Sequence, residues 1–110
     1  MPTAYKVLGQ TNPAATTEST IYTVPSSTQA VVSSIAVCNQ TASSATFRIA
    51  VRPAADETTS AKHYLVYGTT VGAADTVVLT IGVTLAAGDK ILGYGSTGNL
   101  SYSAYGSEIS

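Results

Sequence analysis

The sequence predicts an all-β protein folded as a single antiparallel β-sandwich, either a jelly roll or another Greek-key arrangement. Three observations predict this class. Short stretches rich in Val, Ile and Tyr recur along the 110 residues and are separated by Pro, Gly, Asn and Ser. Two of these stretches alternate between apolar and polar residues, as half-buried strands do. No stretch repeats apolar residues at the helical period over three turns, so many short strands in one small domain favour two packed sheets.

Residues 1–19 are predicted to form an N-terminal strand and a flexible arm. Residues 3–8 (TAYKVL) suit a short strand, whereas 9–19 (GQTNPAATTES) contain small and hydroxyl side chains with little capacity to form a core. Eleven extended residues reach at most about 36 to 40 Å. The strand can therefore pair with its own sheet or with a neighbouring subunit. We prefer the neighbour, because strand addition gives an assembling subunit affinity without charges.

Residues 20–110 are predicted to form the sandwich domain, which begins with three strands. Residues 21–24 (IYTV) end at Pro25, because proline cannot donate a hydrogen bond within a central ladder. Residues 30–39 (AVVSSIAVCN) are rich in β-branched side chains. Residues 45–52 (ATFRIAVR) show the clearest alternation in the chain, which indicates an antiparallel strand with one buried face.

Four further strands complete the predicted sandwich. A polar loop precedes 62–67 (KHYLVY), and 75–82 (DTVVLTIG) alternate again. Residues 90–95 (KILGYG) and 100–105 (LSYSAY) flank a short turn. The inward faces of the strands are predicted to form the core with Val31, Ile35, Val37, Phe47, Ile49, Val51, Val77, Leu79, Ile81, Ile91 and Leu100.

Charge is sparse, and this excludes two classes of protein. Five basic and six acidic residues give a net charge of -1, whereas Ser and Thr together number 30. Nucleic-acid binding and polybasic membrane association both depend on clustered Lys and Arg, so neither partner is expected. The N-terminus has no leader pattern, and no apolar run approaches the roughly 18 to 20 residues that cross a bilayer. The protein is therefore expected to be made in a cytoplasm, and its hydroxyl-rich surface suits packing against a protein partner.

The residues that carry chemistry are too few to form a catalytic or metal site. A single cysteine, Cys38, excludes a cysteine-based zinc site and is expected to be a buried structural thiol. A single histidine, His63, lacks a nucleophile and an orienting partner, so we interpret it as a strand residue with a polar tip. Residues 93–98 (GYGSTG) match the G-x-G-x-x-G pattern, but a strand rather than a helix follows, which favours a hairpin. No catalytic residue, metal or cofactor is predicted.

Two residue types mark candidate contacts with partners. Arg48 and Arg52 lie on the same solvent-facing side of one predicted strand. Arginine and tyrosine are both enriched at protein interfaces. Tyr5 and Lys6 in the N-terminal strand and Tyr105 in the last strand complete the predicted set of interface residues.

The combination of strand ends and turns resembles a family of small structural proteins of tailed bacteriophages. Residues 20–54 combine a Tyr-Thr-Val-Pro strand end, a hydroxyl-rich turn, a Val-rich strand closing on Cys-Asn, and an alternating strand that carries Arg. The segments AYKVLGQ, LAAGDKI and LSYSAYGSEIS extend the resemblance over nearly the whole chain.

The resemblance implies a non-enzymatic structural protein of the virion, assembled in the cytoplasm of a bacterial host. The expected role is decoration of the capsid as a cement protein. The expected partners are other copies of the chain, for example in a trimer, and major capsid or tail proteins. A neck, tail or fibre component is the alternative within this class. A small carbohydrate-binding or receptor-binding β-sandwich module is the alternative from another class.

Overall fold

The computed structural model describes residues 3–110 and is built from strands that enclose one core. A short 3-10 turn at Ala61–His63 precedes the fifth strand. The strands are β1 (Thr3–Thr11), β2 (Ser19–Thr23), β3 (Gln29–Asn39), β4 (Ala45–Arg52), β5 (Tyr64–Val71), β6 (Thr76–Leu85), β7 (Lys90–Gly95) and β8 (Leu100–Ile109).

The strands form two four-stranded sheets, and the strand order is that of a jelly roll. Sheet I has the order β1-β8-β3-β6 and sheet II the order β2-β7-β4-β5. Every neighbouring pair is antiparallel. The first half of the chain pairs with the second half. β1 pairs with β8 and β3 with β6 in sheet I, whereas β2 pairs with β7 and β4 with β5 in sheet II. The predicted all-β sandwich is confirmed, and of the two predicted arrangements the strand order is the jelly roll.

The core lies between the sheets and contains most of the predicted residues. The alternation of β4 turns Phe47 and Ile49 inward, where both side chains are fully buried. Four predicted residues at the margin, Val51, Val77, Leu79 and Ile81, are only partly buried because three of them lie on β6, an edge strand. The remaining predicted residues that are buried are Ile35, Val37, Ile91 and Leu100.

Val31 is the one predicted core residue that does not join the core. Ala30 and Val32 are buried instead, and Val31 is half-buried on the outer side of sheet I. The register of β3 shifts between Val32 and Ser34 against both of its neighbours. A bulge of this kind inserts one extra residue and reverses the faces of the residues beyond it. The prediction was wrong because it assumed unbroken alternation along β3.

The N-terminal segment also differs from the predicted arm. β1 pairs with β8 of its own sheet, from Thr3 opposite Ile109 to Thr11 opposite Tyr102. Residues 12–18 then cross to sheet II, and the Asn12 side-chain amide donates to the Leu100 carbonyl at 2.6 Å. The sandwich therefore includes residues 3–110. The physical reason is that β8 offers a long backbone edge, which β1 reaches through the short connection of residues 12–18. Residues 1 and 2 of the predicted arm lie outside the described residues.

Residues 93–98 do not form the predicted hairpin, because 93–95 end β7 and 96–99 cross from one sheet to the other. β7 ends at Gly95 in sheet II, and β8 begins at Leu100 in sheet I. The two strands are therefore not hydrogen-bonded partners. Adjacent strands often pair, but the jelly roll pairs β8 with β1 and β3, which are distant in the sequence.

Candidate interaction surfaces

The predicted interface residues fall on two different parts of the sandwich. Arg48 and Arg52 lie on the outer face of sheet II, as the alternation of β4 predicts. Tyr5 and Tyr105 line a shallow groove on the outer face of sheet I, and Lys6 lies at its margin. The structure therefore divides the predicted set into two separate surfaces.

One of these surface features is a stack of three side chains on sheet II, Arg48 with Tyr67 and Tyr94, which we call the Arg48 stack. The Arg48 guanidinium carbon lies 4.2 Å from the ring centroid of Tyr67 and 4.2 Å from that of Tyr94. Register brings them together, because Arg48 lies opposite Tyr67 of β5 and Tyr94 of β7. Both aromatic faces attract the cation. The guanidinium is therefore held rigidly between two rings on an exposed sheet face.

The Arg48 stack has no counter-charge among residues 3–110. Within the described residues, Lys6, Arg52 and Lys62 each lie within 4.0 Å of a carboxylate. No carboxylate of residues 3–110 lies that close to Arg48. The guanidinium lies against both tyrosine rings, and among residues 3–110 its N–H groups donate to no side chain or carbonyl, so they are available to another acceptor. A planar guanidinium edge fits a carboxylate through two parallel hydrogen bonds. The arrangement can therefore bind an acidic group presented by a partner.

A shallow groove adjoins the Arg48 stack and widens the surface. The ring of Tyr64 packs edge-on against that of Tyr67, with centroids 4.8 Å apart. Both tyrosines line a groove of about 560 Å³. Tyr67 is 64% exposed, so part of its side chain is accessible to a partner. An arginine without a counter-charge, beside one exposed and two half-buried tyrosines, has the composition of an interface hot spot.

Arg52, the other predicted arginine, is used within the molecule. Its Nη1 donates to the Thr59 hydroxyl at 3.1 Å, and that hydroxyl donates to Glu18 at 2.8 Å. Arg52 Nη1 also lies 3.8 Å from the Glu18 carboxylate. These contacts connect the loop after β4 to the segment before β2. Arg52 therefore stabilises the fold.

Lys6 contributes to a polar cluster on the inner side of sheet I. Its ammonium donates to Glu108 at 2.7 Å, and the Tyr22 hydroxyl donates to the other oxygen of Glu108 at 2.5 Å. The hydrogen bond from Lys6, followed by that from Tyr22, lowers the pKa of Glu108. Burial, together with the hydrogen bond to Glu108, raises the pKa of Tyr22. The cluster joins β1, β2 and β8 and is a structural contact.

Tyr5 and Tyr105 lie on the opposite side of the same sheet. They line a groove of about 510 Å³ together with Val31 and Ser33. Tyr5 is 85% exposed, and Tyr105 is 37% exposed. Lys6, at the margin of this groove, is paired with Glu108, and no other charged residue among those described lines the groove.

His63 is held by two hydrogen bonds, which assign it a structural role. The backbone N–H of Ser60 donates to Nδ1 at 2.9 Å, so the ring proton lies on Nε2 and is donated to Asp56 at 2.8 Å. The hydrogen bond from His63, together with the nearby Lys62 charge, lowers the pKa of Asp56. Neither ring nitrogen is left to accept a proton from a substrate. His63 lies in the 3-10 turn, one residue before the strand in which the sequence placed it.

Asn39 is the residue whose importance the sequence did not reveal, and Cys38 is not the expected core thiol. Cys38 faces outward and is half-buried, whereas Asn39 is 1% exposed. The Asn39 amide donates to the carbonyls of Ser43 and Gly72 at 2.8 and 3.1 Å. Its oxygen accepts the Thr41 backbone N–H at 2.9 Å. The signal in the sequence was the Asn at the end of β3, just before a turn.

The described residues form neither a metal-ligating cluster nor a membrane-spanning helix. Across residues 3–110, no three or more His, Cys, Asp and Glu side chains group so that they could hold a metal ion. In the same part of the chain, no helix is long and apolar enough to cross a membrane.

No protein-family model matches this chain, and no curated protein matches it either.

Proposed function

We propose that this chain is a non-enzymatic structural protein of a tailed-phage particle, and that it decorates the capsid and reinforces the shell through contacts between subunits. The resemblance of residues 20–54 to small phage structural proteins supports the virion. A jelly roll supports the same role, since this fold recurs in viral capsid domains. A rigid sandwich that carries exposed tyrosines and few charges on its outer faces suits a subunit that packs against others.

The observation that carries the proposal is the Arg48 stack. Arg48 is held between two tyrosine rings and has no carboxylate within 4.0 Å among residues 3–110, so its charge is available to form an ion pair with a partner protein. The proposed partner contact is a carboxylate on the major capsid protein, which would take the exposed N–H edge of Arg48. Because many copies bind one symmetric shell, each contact can be weak.

The test uses particles of the encoding phage grown without this gene, to which purified chain is added back. Wild-type chain should bind in hundreds of copies per particle. Arg48→Ala should bind at least about tenfold more weakly, as expected when a hot-spot arginine is lost. Arg48→Lys should recover little, because lysine cannot donate two parallel hydrogen bonds from a stacked plane.

Lys62→Ala is the matched control, because it removes one exposed cation near sheet II without touching the stack. It should bind like the wild type. Equal binding by wild type and Arg48→Ala would contradict the proposed docking face. Binding of only a few to a few dozen copies would replace the capsid role with a neck, tail or fibre role. No binding to any part of the particle would overturn the virion proposal itself.

One observation favours a second candidate function, a carbohydrate-binding or receptor-binding module. The exposed side chain of Tyr67 and the groove that it lines with Tyr64 offer an aromatic surface that a sugar can contact. A glycan array separates the two functions. A hit lost in Tyr67→Ala supports the binding module, whereas a blank array leaves the structural role as the better proposal.

A further inference from the structure

We propose that β6 pairs with β6 of a second copy of the chain, antiparallel and across a two-fold axis, so that sheet I continues through both subunits. The pairing is a property of the isolated chain and goes beyond its proposed role in a particle. It follows from a comparison of the four strands that lie at the sheet edges.

Three of the four edge strands carry features that discourage pairing with another strand. β1 contains Lys6 and a register shift between Val7 and Gly9. β2 has only five residues, and Pro25 follows shortly after it. β5 shows two register shifts and has Gly68 at a φ of +85°. Charges, bulges, short length and nearby proline are the usual means by which proteins protect a sheet edge.

β6 has the least protection. It spans ten residues with no charged residue and no proline, and its only partner strand is β3. Its register shifts once against β3, yet exposed and half-buried residues continue to alternate through the shift. The backbone groups on its outer side therefore form a long edge that fits another extended strand.

The side chains of β6 indicate that a second β6 is the occupant. Its inward residues Val77, Leu79 and Ile81 pack against the core but stay partly exposed, because no strand lies beyond them. A second copy would place the same apolar residues beside them and exclude water from both sets. The ten residues of β6 that would pair carry no charge.

The direction of pairing follows from the two faces of the strand. Antiparallel pairing across a two-fold axis perpendicular to the sheet keeps the inward residues of both copies on the same side, where Val77, Leu79 and Ile81 of each copy can meet. Parallel pairing about a two-fold axis along the strands would turn the second sheet over and place these residues beside outward side chains instead. A two-fold axis then lies near the middle of the strand, where Thr80 is the central outward residue.

Sedimentation velocity on the purified full chain tests the pairing directly. The wild type should form a species of twice the 11.2 kDa chain mass as its concentration rises. Thr80→Lys and Thr80→Glu should each weaken association by at least about tenfold, because they place like charges together near the axis. Thr58→Lys, in the exposed loop after β4, is the matched control and should associate like the wild type.

A mixture of the two charged variants distinguishes pairing between two β6 strands from association through a different surface. Equal amounts of Thr80→Lys and Thr80→Glu should form a mixed dimer at concentrations where each alone is monomeric, and added salt should weaken it. A wild-type chain that stays monomeric up to about 1 mM would overturn the proposal, since even a millimolar contact is populated there. So would a trimer or other oligomer that neither charged variant weakens, or a mixture that stays monomeric.

Discussion

The side chain of Tyr102 on β8 packs against β7 where Gly95 has no side chain. A Cβ placed on Gly95 would lie 3.0 Å from the Tyr102 hydroxyl oxygen and 2.8 Å from Cδ1 of Leu100. A Cβ on Gly93 would lie 3.1 Å from the same tyrosine ring. The glycines that resemble a nucleotide-binding pattern therefore make room for the largest side chain of the core. Burial raises the pKa of Tyr102, whose hydroxyl has no hydrogen-bond partner among residues 3–110.

Gly95→Ala is expected to destabilise the protein by about 1 to 3 kcal/mol, because an added methyl group overpacks a full core. Gly82→Ala is the matched control, since a Cβ there meets no atom within 4 Å. It should change the free energy of unfolding by less than about 0.5 kcal/mol. Urea denaturation measures both unfolding free energies. Equal losses of stability in the two variants would mean that the packing of Tyr102 does not require a glycine at position 95.

Phe47→Ala is expected to cost about 3 to 5 kcal/mol of unfolding free energy, because it leaves a cavity in the middle of the core. Phe47 has 0% exposure. Tyr5→Ala removes an aromatic ring that is 85% exposed and should cost less than about 0.5 kcal/mol. A loss below about 1 kcal/mol for Phe47→Ala in thermal or chemical denaturation would place this residue outside the core.

Asn39→Ala is expected to cost about 2 to 3 kcal/mol, because it removes the hydrogen bonds of a buried amide to several part-buried backbone groups. The loss should appear as a lower melting temperature. Asn99→Ala serves as control, since it makes the same substitution at an exposed asparagine. If both variants melt alike, the hydrogen bonds of Asn39 do not hold the loops around it.

Acid should weaken the contact between Glu108 and its two donors. The folded-state pKa of Glu108 lies below its unfolded value, so the contact contributes fully above the unfolded pKa of about 4.3 and is lost as pH falls through the lowered folded pKa. The stability difference between wild type and Glu108→Gln should therefore be larger at neutral pH than in acid. In a Lys6→Gln background, which removes the main cause of the shift, that pH dependence should shrink. An unchanged pH dependence would assign the shift to another group.

Two N-terminal deletions should separate the two halves of β1. Deleting residues 1–7 removes only exposed side chains among those described, so the melting temperature should fall by a few degrees. Deleting residues 1–17 also removes partly buried Leu8, buried Pro13 and the Asn12 hydrogen bonds, and should lower it much further. Full stability of the longer deletion, with loss of binding to particles or to other copies, would instead support an arm that serves a neighbour.

Local patterning made much of this fold predictable. The alternation of 45–52 and 75–82 identifies strands and their inward faces, because the side-chain period of a strand is two. The same alternation predicted that Arg48 and Arg52 share an outer face. It carried no information on which of them would find a carboxylate, since Glu18 lies 34 residues before Arg52 and reaches it only through the fold.

The sequence by itself determined the class of the fold, the position of most strands and the central core residues, because these depend on neighbours within a few positions. Only the tertiary structure decided the jelly-roll order, the pairing of β1 with β8 and the bulge that turned Val31 outward. It alone also placed Tyr67 and Tyr94 on either side of Arg48. Each of these depends on strand pairing between residues far apart in the chain, whose register is set by the packing of the whole core.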